Sequence, residues 1–159
     1  MLGVMSFLKS LKLRFSPPRL SDADFGNLLF MYIANAPERS YWECEWKFPR
    51  TGTIISIAIP GDDTGPDSRA RKFFLALPTR FESIVAACRP QLQEVFSHWL
   101  QRDLPADIFS VVKLAGFDLE DPQETLPKWD IAFETTGDKW LGIRIPFVGE
   151  VPQKAVVDT

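Results

Sequence analysis

His98 is the only histidine among the 159 residues, and that single count bounds the available chemistry. A zinc site built on a histidine pair, as in HExxH, cannot form, and the two cysteines, Cys44 and Cys88, stand far apart with no CxxC spacing. A serine or cysteine triad would have to use His98 as its imidazole. Its place between Ser97 and Trp99 on a helically spaced stretch suits a helix surface better than a general base. Neither a phosphate-binding GxxxxGK[ST] loop nor a GxGxxG turn occurs. The expectation is therefore no assigned catalytic residue, no metal ligand set and no cofactor.

Three groups of charged residues carry the remaining chemistry. Asp62, Asp63 and Asp67 sit in a glycine-bearing loop and offer oxygen ligands to a hard cation. They lack the register and closing glutamate of a calcium loop, so turn formation and helix capping are the better reading. Glu43 and Glu45 share one face of a strand, with Glu134 a third carboxylate able to join them, and close carboxylates can split their pKa values for acid–base work. A solvated sheet face with Lys47 as counterion is the simpler account. Arg69, Arg71, Lys72 and Arg80 form a basic cluster on a helical region, which reads first as a solvated helix face.

The aromatic residues point to another kind of function. The chain holds 13 Phe and 5 Trp, and most fall in periodic apolar stripes that belong to a core. Trp140 does not: it alternates onto the face opposite Leu141 and Ile143, beside Gly142 and Arg144. If helices cover one side of the sheet only, Tyr41 and Trp140 are left exposed. Tryptophan, tyrosine and arginine are the usual anchors of protein interfaces. Tyr41, Trp140 and Arg144 are accordingly the expected protein-binding residues.

Charge narrows the partners. The net charge of −3 divides into +4 over residues 1–20 (Lys9, Lys12, Arg14, Arg19 and no acid) and −7 over the remainder. An acidic body disfavours nucleic acid, whose phosphates need a basic surface. The start MLGVMSFLKSLKLRF is apolar and basic, but its lysines interrupt the apolar run and no small-residue cleavage site follows, unlike a secretory leader. A cytoplasmic location is expected. The cysteines read as two buried thiols, with a disulfide between them the alternative.

These residues need elements to position them. Over residues 4–15, Val4, Phe7, Leu8, Leu11 and Phe15 share one helical face, Leu13 lies opposite, and Ser16-Pro17-Pro18 ends the run. A docked or frayed arm is the first expectation for this segment; contact with an anionic membrane through residues 4–15 is the less favoured one. Strands follow over Leu28 to Ile33, Tyr41 to Phe48 and Thr53 to Ile59, the second alternating cleanly in apolar and charged residues. A helical pair is expected from about residue 68 to Leu100, with Pro90 either kinking or splitting its second member. Strands return over Ile108 to Leu114, Trp129 to Glu134 and Leu141 to Ile145, with an acidic loop over Asp118 to Lys128.

The strings ISIAIPGDDTGPDSRARKFFLALPTRFESIV, EVFSHWL and WDIAFETTGDKWLGIRI resemble small bacterial domain-of-unknown-function proteins. In that group a strand runs through a Gly-Asp…Gly-Pro loop into a helical pair, followed by a tryptophan-led hairpin. The resemblance spans residues 25–147 and is sharpest from Gly61 to Pro66. It implies bacterial origin and a similar fold, and some such proteins act as immunity partners of toxins. It carries no reacting residues with it.

The expected architecture is α+β. A basic arm occupies residues 1–20, a single domain 21–149 and a frayed tail 150–159. The domain is a mostly antiparallel sheet of about six strands, arranged as three strands, a helical pair and three strands, with the helices on one face. The expected function is a non-enzymatic protein-binding domain of immunity-like or accessory kind. A carboxylate-dependent enzyme using Glu43, Glu45 or the Asp62/Asp63 loop is the alternative.

Overall fold

A computed structural model describes residues 2–159. Helix α1 (Leu2–Phe15) ends where Ser16 and two prolines stop it. A hairpin of β1 (Arg19–Asp22) and β2 (Gly26–Met31) follows. Its turn is closed by the Asp22 carboxylate, which accepts from the backbone N–H of Asp24 and Phe25. Strands β3 (Tyr41–Lys47) and β4 (Ile54–Asp62) realise the alternation in the sequence: Trp42, Cys44, Trp46, Ile55, Ile57 and Ile59 are buried. Short β5 (Gly65–Pro66) folds back on the end of β4.

Helix α2 (Ser68–Val95) begins at Asp67, whose Oδ1 accepts from the N–H of Arg69 (2.9 Å) and Ala70 (3.0 Å). Where the helical spacing predicts a pair over this stretch, residues 68–95 form one 28-residue helix, and the other α-helix among the described residues is α1. Pro78 and Pro90 each remove a backbone donor, yet neither divides α2. The reason is the buried stripe Ala70, Phe74, Leu77, Phe81, Ile84, Cys88, Leu92 and Val95, which continues unbroken through both prolines and holds the helix to the sheet. A π turn over Phe96–Leu100 ends it, with Gln101 in the left-handed region at φ 53°.

The second block comprises β6 (Val112–Leu119), β7 (Lys128–Thr135), β8 (Gly142–Val148), β9 (Val151–Pro152) and β10 (Val156–Asp158). The sheet has ten strands, not about six, in the order β1-β2-β3-β4-β6-β7-β8-β10, with β5 on β4 and β9 on β8. It is mixed: the β4–β6 pair is parallel and the other ladders are antiparallel. A helix of 28 residues is roughly 42 Å long, enough to carry the chain back before β6 starts, and that return makes the pair parallel. The tail expected to fray is instead the β9 and β10 edge, paired to β8. The segment Ile108–Ser110 is a 3-10 turn rather than the start of a strand, and β6 runs into the region expected to be loop.

One core lies between α2 and a single face of the sheet. Phe48 joins its parts, with ring centroids 5.2 Å from Trp46, 5.0 Å from Phe81 and 5.4 Å from Phe117. Cys44 and Cys88 are free and buried within it, and burial pushes their thiols up to about 11 and about 12. Both behave as small apolar residues rather than nucleophiles.

Candidate functional site

Because α2 covers one face, the period-two geometry of each strand sends the alternate residues to the other face. Paired residues there form rows across the sheet. Glu45, Ser56, Gly116, Ala132, Arg144 and Val156 make one row, spanning β3 to β10. Asp118, Asp130 and Pro146 make part of the next. Small residues floor the centre, and charged side chains rise around it.

The β4–β6 join is brief. It holds over Ser56↔Gly116 and Ile57↔Phe117, and beyond it a cleft of about 920 Å³ opens at the C-terminal ends of the two strands. Tyr41, Ala58 and Pro60 line one side; Asp118, Glu120 and Asp121 line the other. A second depression of about 320 Å³ adjoins it and contains Asp130, Arg144 and Pro146. Asp118 and Glu120 border both, so the two hollows share an acidic divide.

Asp118 and Asp130 face each other directly across β6 and β7. Burial raises the Asp130 carboxyl to about 6; Asp118 and Glu120 push the same way, and Arg144, with Nε 3.8 Å from Asp130 Oδ2, opposes them. Lys113 pairs with Glu134 at 2.9 Å. Among the described residues, Glu43, Glu45, Asp118 and Glu120 form no ion pair.

Trp140 stands at the far end of this face and is 50% exposed. The turn that carries it is clamped by the buried Thr135 hydroxyl, which donates to the Lys139 carbonyl and accepts from the Leu141 N–H, both at 2.7 Å. Its ring lies over Gly142: a Cβ on that glycine would sit 3.1 Å from a ring carbon. Trp140 thus stands at one end of the face, and Arg144, two residues along β8 from Gly142, lies between it and Asp130. Tyr41 is four ladder spacings across the sheet from Arg144, roughly 19 Å, and four residues farther along it, and borders the cleft instead.

No family model matches this chain, and no curated protein or solved structure does either.

The other sequence candidates separate. Glu43 and Glu45 lie on β3 and Glu134 on β7, three ladder spacings or roughly 14 Å away, so these carboxylates do not converge. Asp62 closes its own turn: its carboxylate accepts from the Thr64 hydroxyl and the Thr64 N–H, which holds its pKa below the usual carboxylate value. Asp63 pairs with Lys9 at 3.2 Å, and Asp67 caps α2. Among the described residues, no group of three or more His, Cys, Asp or Glu is placed to hold a metal ion. Arg71 is tied to Asp22 and Asp24 and stacks over Phe25; Arg80 lies over Trp129. The basic cluster is thereby partly committed to the fold.

Asp118 and Asp130 escape sequence inspection because Asp118 reads as the first residue of a loop. The overlooked signal is the alternation Phe117-Asp118-Leu119-Glu120, which continues the strand.

Proposed function

We propose that this protein is a non-enzymatic binding domain that receives a basic protein surface on the helix-free face of its sheet. The observation that carries the proposal is the pair of adjoining hollows divided by Asp118 and Glu120, two carboxylates in no ion pair among the described residues, where carboxylates outnumber the cations Arg39, Lys128 and Arg144. A cationic partner would supply the missing charge, and its approach would be steered by the acidic body. Trp140 at one end of the face, Arg144 beside Asp130, and Tyr41 at the border of the cleft are the anchoring side chains. An immunity-like or accessory role, with a basic toxin as partner, is the specific form of this reading.

Affinity capture from the native cells, followed by titration of the purified partner, tests it. A one-to-one complex with a basic protein is expected, weakened by salt. Trp140→Ala, and separately Asp118→Lys with Glu120→Lys, should each raise Kd about tenfold or more. A partner that binds equally well to these variants would overturn the proposal.

The second reading is a carboxylate-dependent enzyme. Its support comes less from Glu43, Glu45 or the Asp62/Asp63 loop than from the facing pair Asp118 and Asp130, one of them protonated near pH 6. Its signature would be a turnover whose acidic limb near that pH disappears in Asp130→Asn.

A further inference from the structure

Helix α1 is docked the wrong way round for an amphipathic arm. At about 100° per residue, Val4, Phe7, Leu8, Leu11 and Phe15 form one stripe, and Ser6, Lys9, Ser10 and Leu13 form the side roughly 180° away. A helix folded onto its own domain buries the apolar stripe. Here the contacts with the domain come from the polar side: Ser10 and Leu13 are half-buried, Leu13 packs on the core, and Lys9, itself still exposed, pairs with Asp63 beside Phe30 and Tyr32. Most of the stripe faces solvent, with Val4 64%, Phe7 62%, Leu8 59% and Phe15 76% exposed and Leu11 half-buried. Lys12 and Arg14 flank it, one roughly 80° to either side of its centre, and both are exposed.

From this inverted docking we infer that α1 is a membrane-surface helix, whose outward stripe enters the interface of an anionic lipid bilayer while Lys12 and Arg14 meet its headgroups. Apolar side chains flanked by cations are the pattern that seats a helix in the plane of a bilayer. At 14 residues, roughly 21 Å, α1 lies on a bilayer; no helix among the described residues is long and apolar enough to cross one. Charge decides between occupants. A second copy paired stripe to stripe would set Lys12 and Arg14 against their own kind, and residues 1–20 contain no carboxylate to answer them. Anionic lipid supplies that charge, and it accepts a convex ridge without needing a matching groove. The surface is separate from the sheet face proposed to bind protein.

The test is co-sedimentation of the full chain with vesicles of phosphatidylcholine alone and of phosphatidylcholine mixed with phosphatidylglycerol. Binding to the anionic vesicles is expected, with release as salt is raised. Phe7→Glu with Leu8→Glu should cut partitioning about tenfold or more, and Lys12→Ser with Arg14→Ser should abolish the preference for anionic lipid. All four positions are exposed, so the melting temperature should not move. Failure of the wild type to sediment with anionic vesicles overturns the inference, as does sedimentation unaffected by Phe7→Glu/Leu8→Glu. A wild-type dimer that this double variant converts to monomer, with no vesicle binding, would reassign the stripe to self-association.

Discussion

Asp130 faces Asp118 across the β6–β7 ladder in a partly buried position, an arrangement a sheet makes at a cost. Its folded pKa, about 6, lies above the ordinary 3.8. Below about pH 4 the carboxyl is protonated in both folded and unfolded chains and has no effect on stability. Between about pH 4 and 6 the folded state keeps a proton the unfolded chain has lost, so stability falls as pH rises through that window, and above it the ionised carboxylate leaves the fold less stable than an uncharged side chain would. Asp130→Asn is therefore expected to stabilise the protein at pH 7 by about 1–2 kcal/mol, after allowance for solvent screening. Chemical denaturation at several pH values checks this: the variant's stability should change less between about pH 4 and 6 than the wild type's. A group kept at such a disadvantage in the middle of an open face fits a surface built to receive positive charge.

At the scale of elements, the two halves of the sheet meet at a narrow seam. Gly116 lies on that seam next to a break in the β6–β7 register, and a Cβ placed on it would come within 2.8 Å of the Ser56 carbonyl oxygen. That neighbour is backbone in the adjacent strand and cannot swing aside. Gly116→Ala is expected to lower stability by about 1–3 kcal/mol, read from urea unfolding, with amide exchange accelerated at the β4–β6 join before β3 and β7. The strands themselves were legible: β3 and β7 alternate one apolar and one polar residue, and their buried faces follow that alternation. The seam was not, because residues 57 and 117 are paired only after a 28-residue helix has intervened. Hairpin β1–β2 was half hidden for a related reason: Arg-Leu-Ser-Asp has no buried side, and its pairing depends on β2 and on Arg71 holding Asp22 and Asp24.

At the scale of the molecule, the exposed edges and the separated charges matter most. Strand β10 covers part of the outer edge of β8, with Val157 packed against the core, and β9 covers the end. Removing residues 150–159 would uncover that edge and its unpaired backbone groups, a template for pairing between chains. The truncated protein is expected to melt at lower temperature and to self-associate with rising concentration, measured by light scattering. The charges divide as the elements do. The basic residues of 1–20 lie on α1 and β1, and the acidic hollows lie on the helix-free face, so the molecule presents two chemically opposite surfaces.

Local pattern determined a good deal of this. Period-two alternation specified which side of β3, β4, β7 and β8 would be buried, helical spacing specified the stripe of α2, and Asp67 marked the start of that helix. Lone His98 and the unclustered cysteines narrow the chemistry by themselves. Tertiary structure decided what local pattern cannot encode. It made α2 continuous through two prolines, because packing against the sheet outweighs two absent hydrogen bonds. It brought Asp118 opposite Asp130, and it turned the apolar stripe of α1 outward. Each of these depends on register or docking between segments distant in the chain, where the deciding energy belongs to the pair and to neither segment alone.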